Sequence, residues 1–503
     1  MKKRSFVLRA LDGIEAVGNK LPHPVTLFAI LSGLILVVSA IAGMANMHVI
    51  HPGTGETIHA VNLLNREGIQ MIFTKAVDNF VNFAPLGTVL VAMLGVGVAE
   101  RSGLISAALR KLVISVPASL ITMTLVFAGV MSSMAADAGY VVLTPLGAVI
   151  FAGLGRNPLA GLAAAFAGVS GGYSANLMLT SLDPLLAGFT ESAAQLYDPS
   201  YEVLATANLY FMIASVLVVT IVGTLVTDKI VEPKLGKWDA NGTDVDTKLE
   251  TLTANELRGL KSAGVALFLT VAAIVVMVVP EWGVLRDPDD FFASPLFGSL
   301  VPLIALMFFI PGLAYGISAK TITSDKDVAE QMSDTMGTLG GYIVLAFVAA
   351  QFVMYFTWSN LGLVLSVNGA QFLHSINFEG LPLIITFIFV AALLNLFIGS
   401  ASAKWGIMGP VFVPLLMQMG FSPELTQLAY RIGDSVTNII TPLMPYFAII
   451  VAFAQKYDKK AGIGTLVSMM LPYSIAFTIV WLLMLVGWFY TGFPIGPNAP
   501  LYY

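Results

Sequence analysis

Two octapeptides decide the fold: SSMAADAG (Ser132 to Gly139) and GSASAKWG (Gly399 to Gly406). Each interrupts an apolar stretch, 112–154 in the first case and 380–419 in the second. The arms on either side are long enough to cross a bilayer, but small polar residues at the centre suit a re-entrant hairpin, in and out on one side. Working outward, nine further stretches of the length a membrane helix needs, about 20 apolar residues, are read as full spans. They cover roughly 24–44, 83–100, 159–182, 204–227, 263–280, 296–317, 338–358, 424–452 and 466–489. Cytoplasmic loops collect Lys and Arg. With the N-terminus inside and both hairpins re-entrant, 20 of the 25 basic residues fall inside and only Arg66, Lys75 and Arg286 outside. Lys404 and Arg431 are left within membrane segments. The sequence therefore predicts an all-α polytopic membrane protein with nine transmembrane helices plus two re-entrant hairpins, its N-terminus cytoplasmic and its C-terminus periplasmic.

Composition agrees. Hydrophobic residues make up 57% of the chain and Asp, Glu, Lys and Arg only 11%, too little charge to coat a soluble domain. The net charge of -5 and the absence of a basic stripe argue against nucleic acid as a partner. With no cysteine, disulfides and thiolate chemistry are excluded, and no Gly-rich phosphate loop supports an ATP-driven pump. Within 1–23, Val7, Leu11, Ile14, Val17 and Leu21 fall at helical spacing, which predicts an amphipathic helix on the cytoplasmic face. Segment 24–80 is then the first span with an outer loop, whose His48, His51 and His59 form no metal-ligand pattern. A polar stretch, 231–262, reads as a cytoplasmic linker. It separates repeat 1 (81–230, hairpin 112–154, broken helix 159–182) from linking spans (263–325) and repeat 2 (326–490, hairpin 380–419, broken helix 424–452). Residues 491–503 read as a periplasmic tail.

The two repeats align. Ser133-Met-Ala-Ala-Asp137 faces Ser400-Ala-Ser-Ala-Lys404, Gly155-Arg-Asn-Pro158 matches Gly420-Phe-Ser-Pro423, and GVSGGYSAN (Gly168 to Asn176) answers GDSVTN (Gly433 to Asn438). Because the hairpins enter from opposite faces, the repeats have inverted topology. Mid-helix Gly, Ser, Thr and Asn free backbone groups that survive in a bilayer only where protein buries them or they line a cavity. Broken helices at matching places of inverted repeats point to a transporter's central site; a lone cluster of small residues would indicate only close packing.

Charges at membrane depth need a reason. Arg431 and Asp434 lie three apart on one helix face. They form either a structural ion pair or a site in which the Arg431 fork takes a substrate carboxylate, with Asp434 holding it or carrying a coupling proton. Asp183 and Asn176, beside the first break, are hard oxygen donors suited to Na⁺ or a relayed proton, Asp183 being alternatively a helix cap. Asn438 in the matching break joins these ion-coupling candidates. Ser133 and Ser402 begin the second arm of each hairpin, where a helix N-terminus attracts anions. Asn395 adds an amide, and Trp405 either stacks on an aromatic ring or packs as an interfacial anchor. Asp137 and Lys404, at the two tips, are read as solvated in an aqueous vestibule.

Three stretches carry a family resemblance. SASAKWGIMGPVFVP (Ser400 to Pro414), AYRIGDSVTNIITPLMPYF (Ala429 to Phe447) and GGYSANLMLTSLDP (Gly171 to Pro184) closely resemble the p-aminobenzoyl-glutamate transporter (AbgT) family. The resemblance implies a homodimer of bowl-shaped protomers in the bacterial inner membrane, with substrate held between hairpin tips and broken helices. It also implies that Asp183, Asn395, Ser402, Trp405, Pro423, Arg431 and Asp434 matter, with Asn176 in the cation-associated region. Members are associated with uptake of p-aminobenzoyl-glutamate and with export of sulfonamides. The chemistry is compatible, a dicarboxylate tail for Arg431 and an aminobenzoyl ring for Trp405. The reading is thus ion-coupled alternating access for aminobenzoyl compounds, driven by Na⁺ or protons and without a cofactor. The alternative is a proton-motive-force-driven sulfonamide exporter. A membrane hydrolase using Asp137 or Asp183, and a passive channel, are the rival classes.

Overall fold

The computed structural model describes residues 22–50, 55–135, 139–236, 238, 252–288, 294–444 and 446–503. Most of the expected amphipathic helix, the Asp137 tip and the middle of the 231–262 linker lie outside them. The described residues are mostly helical; one short antiparallel pair, His48–Ile50 with Thr57–His59, lies in the loop after the first span, with His48 opposite His59.

Among the described residues, seven helices are long and apolar enough to cross a membrane, or eight if a bent pair counts as one span. The seven are Pro24–Met44, Ala84–Arg101, Leu209–Leu235, Ala254–Val278, Leu300–Ala319, Gly340–Trp358 and Ile463–Thr491. The remaining two expected spans are the ones interrupted by small polar residues, and each is divided into two pieces. The first runs from Pro158 to Gly171 and resumes only at Leu182–Ala194, so its second piece lies beyond the expected end at 182. The second runs over Pro423–Asn438 and resumes at Phe447–Gln455.

Other boundaries also differ from the sequence reading. Residues 112–114 belong to Leu104–Ile114, which meets the next helix at 114°, so the first arm starts after Pro117, where proline stops the preceding helix. The linker is helical at both ends, with Glu232–Leu235 continuing the preceding span and a Thr253–Glu256 capping box starting Ala254–Val278. Asp325–Thr338 and Leu361–Ser375 are two helices that hydropathy did not single out. The terminal stretch is packed down. Ile495, Ala499 and Leu501 are buried, the Ile495 carbonyl accepts from the Tyr210 N–H (3.0 Å), and Ser422 N–H donates to the Leu501 carbonyl (3.1 Å).

Each interruption is built around its broken helix in the same way. Pro158–Phe166 and Pro423–Asn438 are buried at every residue. Both start from a left-handed glycine, Gly155 (φ +70°) and Gly420 (φ +86°), then an N-cap side chain, Asn157 or Ser422, then proline at the first turn. Both broken helices then press against the first arm of their own hairpin (Ile121–Met131 and Gly380–Asn395). A methyl group on Gly168 would sit 2.4 Å from the Val126 carbonyl oxygen, and one on Gly433 would sit 2.4 Å from that of Ile388. These glycines are the aligned pair of the two breaks, and backbone-to-backbone contact leaves no room for a Cβ.

Gly168→Ala and Gly433→Ala are each expected to lower stability by about 1–3 kcal/mol through overpacking, read as a drop in detergent melting temperature. Gly337→Ala, with nothing within 4 Å of the added methyl, is the control and should not lower it. Equal melting for all three would refute the matched contacts.

Candidate functional site

The second broken helix, Pro423–Asn438, is rich in polar residues yet buried on all sides, so its neighbours must supply every partner. Arg431 and Asp434 do not pair with each other. Three residues apart on the helix, their side chains diverge to different neighbours. Arg431 Nη1 forms an ion pair with Asp183 Oδ1 (2.6 Å) in the resumed piece of the first broken helix. Asp434 is paired with the Lys404 ammonium from the second arm, Ala401–Gln418. Asp183 is held further by the Thr180 N–H (2.6 Å) and hydroxyl (2.8 Å) at the end of the break, so it also ties down the turn as a cap would.

Lys404 is fully buried, not solvated at a tip. The cause is local: the second arm's first helical turn folds in behind the cavity, where Lys404 Nζ donates to Asn395 Oδ1 as well as to Asp434. Asn395 in turn directs its amide nitrogen to the Asp434 carbonyl (2.7 Å) and Asn438 Oδ1 (2.8 Å), and Asn438 Nδ2 donates to Asp434 Oδ2 (3.2 Å). Asn176, in the other break, accepts from the Ser133 hydroxyl with its side-chain oxygen. In both halves, then, an asparagine of the break is tied to its own hairpin.

Trp405 is also buried within protein and so is not an interfacial anchor. Its ring stacks on Tyr430 (4.5 Å between centroids), and its N–H donates to the Thr190 hydroxyl (2.9 Å), which donates to Gln427 (2.6 Å). Pro423 is buried at the first turn of its helix and supports the chain direction there.

A cavity of about 380 Å³ opens where the two tips and the two breaks meet. Ser133 contributes from the first tip and Gly399, Ser400, Ala401 and Ser402 from the second; Tyr173 and Ser181 come from the first break, Asn438, Met444 and Tyr446 from the second. Tyr140, Tyr342, Met93 and Leu185 are among the remaining walls. Of the sequence candidates, Ser133, Ser402 and Asn438 line it. Asn176 lies one hydrogen bond behind Ser133, while Asp183, Asn395, Trp405, Pro423, Arg431 and Asp434 stand outside the lining. Among the described residues, no Asp, Glu, Lys or Arg lines it. Two helix N-termini do reach it, at Ser181–Leu182 and at Ser400–Ser402, and such ends favour negative charge.

The tyrosines were missed by charge-centred reading; the signal available was position, since Tyr140, Tyr173 and Tyr446 each lie in or beside an interruption. The partnership of Lys404 was missed because tip position suggested water. A sodium ion at Asn176 and Asp183 does not fit this arrangement well. Arg431 already compensates the Asp183 carboxylate, and a second cation there meets its repulsion.

A family model described as the AbgT putative transporter family matches residues 9–503. The chain belongs to this family. It is 41% identical over 487 residues to the p-aminobenzoyl-glutamate transport protein of Escherichia coli (strain K12), covering 96% of this chain and 95% of that one. Among solved structures it resembles the Alcanivorax borkumensis YdaH transporter, at TM-score 0.91 and 45% identity, over 95% of this chain and all of the other. It also resembles Neisseria gonorrhoeae MtrF, described with a class of antimetabolite efflux pumps, at TM-score 0.92 and 48% identity, over 98% of this chain and all of the other. This AbgT-family chain is therefore a multi-pass membrane transporter of small molecules and not an enzyme, which removes the hydrolase alternative.

The pairing scheme is testable by double-mutant cycles. Arg431→Met or Asp183→Asn alone leaves a buried charge uncompensated and should cost about 3–5 kcal/mol. The two together should cost clearly less than their sum. Additivity to within about 0.5 kcal/mol, measured from unfolding in detergent, would show that the ion pair does not form.

Proposed function

We propose that this protein moves p-aminobenzoyl-glutamate and related aminobenzoyl compounds by ion-coupled alternating access. One observation carries the reading: a single cavity is walled by both hairpin tips and both helix breaks, the arrangement that inverted-repeat transporters use for a midplane site. Its volume lies in the range of small-molecule sites. The matched glycine turns and glycine contacts of the two broken helices support an internal repeat, and the Lys and Arg distribution supports its inversion. On this reading the hairpins are re-entrant from opposite faces, the N-terminus is cytoplasmic and the C-terminus periplasmic. The protein would act as a homodimer in lipid of a bacterial inner membrane.

The cavity chemistry suits such a cargo. Carboxylates of a glutamyl tail would lie toward the helix N-termini at Ser181 and Ser400–Ser402, where unpaired backbone donors meet negative charge without a fixed cation. Hydroxyls of Ser133 and Ser402 and the Asn438 amide supply further hydrogen bonds. Arg431 and Asp434, one layer back, would then hold the two broken helices in register instead of gripping the substrate.

A second reading, export of sulfonamide antimetabolites driven by the proton motive force, is favoured by the likeness to MtrF. The same cavity, with its hydroxyls and tyrosine rings, would admit an aryl sulfonamide. Both readings share one experiment, radiolabelled flux into or out of proteoliposomes under imposed proton and Na⁺ gradients. Saturable flux of p-aminobenzoyl-glutamate accelerated by a proton gradient is expected, and Ser402→Leu, which fills the cavity from the second tip, should raise KM about tenfold, equivalent to about 1.4 kcal/mol. Unsaturable flux insensitive to both gradients would indicate a channel and overturn secondary transport.

A further inference from the structure

The sequence reading gave the aromatic contact to Trp405, which the structure seals behind Tyr430. The cavity carries aromatic surface of another kind. Four tyrosines line it: Tyr140, Tyr173, Tyr342 and Tyr446. Two of these are stacked face to face, Tyr140 and Tyr446, with centroids 4.5 Å apart and planes 7° from parallel. They come from opposite halves of the chain. Tyr140 is in the helical turn that follows the first tip, and Tyr446 immediately precedes Phe447–Gln455, the resumed piece of the second broken helix. Tyr140 is buried, with the edge of Phe166 at 6.3 Å, and Phe166 meets Phe447 at 6.2 Å. Tyr446 is only half-buried and turns its remaining surface to the cavity.

We propose that Tyr446, backed by Tyr140, is the platform on which the aryl ring of the cargo stacks, and so the determinant of aromatic over aliphatic substrates. The proposal rests on the transport reading above and adds the residues that select its substrate class. Three features argue for it. The described lining residues offer hydroxyl, amide and apolar surface, against which an aryl group packs without facing a fixed ion. Parallel rings at this spacing show that the site accommodates offset stacking, the arrangement aromatic pairs favour. The buried Phe166–Phe447 pair behind the stack fixes Tyr140, so that Tyr446 is presented on a supported surface and not on a mobile side chain. Because the two stacked rings belong to different halves, a ring bound on Tyr446 also senses how those halves are placed relative to each other.

The test compares two cargoes that share the glutamyl tail and differ in the ring: p-aminobenzoyl-glutamate and its saturated counterpart, 4-aminocyclohexanecarbonyl-glutamate. Flux into proteoliposomes is measured for the unchanged protein and for Tyr446→Phe, Tyr446→Leu and Tyr140→Leu. Tyr446→Phe keeps the ring and should hold KM for the aryl cargo within about threefold. Tyr446→Leu should raise that KM at least tenfold, about 1.4 kcal/mol, while changing KM for the saturated cargo less than threefold. Tyr140→Leu should show the same selectivity to a smaller degree. An equal loss for both cargoes, or no loss in Tyr446→Leu, overturns the platform. Were the unchanged protein to carry neither cargo, the transport reading itself would fall, a result separable from either of these. Binding of 4-aminobenzoate to detergent-purified Tyr446→Leu, read by calorimetry, guards against a variant that binds but cannot cycle. Unweakened affinity there also overturns the proposal.

Discussion

A polar helix buried on every side sets the terms for the rest of this structure. Pro423–Asn438 carries Glu424, Gln427, Arg431, Asp434, Ser435 and Thr437 into the protein interior and sets Asn438 at the cavity wall. Unpaired, charges at that depth would be prohibitive. The neighbours give each ionised side chain a partner, while Arg431 Nε and Nη2 and the Ser435 hydroxyl have none among the described residues. Lys404 and Asn395 come from the second hairpin to meet Asp434, Asp183 comes from the first broken helix to meet Arg431, and Tyr201 donates its hydroxyl to Glu424 (2.9 Å). Removing any one element would strand the partners of another, and for that reason the two halves of the chain are inseparable at their centre.

The consequence for the site is a division of labour. Fixed charges form a structural layer behind the wall, and the wall itself offers hydroxyls, an amide, helix ends and tyrosine rings. On the proposed reading, the described wall would bind an anionic cargo by dipoles, which is weaker and more easily released than a guanidinium grip. Release matters as much as capture for a transporter, and a site of moderate strength serves both. The two unwound segments also sit where a small rearrangement of backbone changes which carbonyls and N–H groups face the cavity.

Much of this was legible in the sequence because its cause is local. Gly-Arg-Asn-Pro and Gly-Phe-Ser-Pro announce a left-handed turn, a cap and a proline start, and both form as such. Composition alone dictated a helical membrane protein. Partnership was not legible, since it depends on which faces meet. Arg431 and Asp434 are close in sequence, and their separation onto Asp183 and Lys404 follows from the two different elements packed on that helix. Lys404 and Trp405 looked like tip residues, yet one helical turn carries both behind the wall. The helix Leu361–Ser375 was passed over because its polar residues dilute the hydropathy, although Asn368 satisfies itself on the Val364 carbonyl (2.7 Å). The first broken span was cut short at 182 because the ten residues from Gly172 to Ser181 are not helical, and the resumption beyond them begins with Leu182-Asp183-Pro184.

The two buried ion pairs also bear on how the membrane potential acts. Lys404, Arg431, Asp183 and Asp434 together carry no net charge. A displacement of this assembly across the electric field, which acts on each elementary charge with about 2.3 kcal/mol per 100 mV, therefore performs no net electrical work on the protein. Voltage then acts through whatever travels, the cargo's own carboxylates and the ions that accompany them. On the transport reading proposed above, these four groups are electrically silent, and the electrogenicity of a cycle is set by the other charges that move.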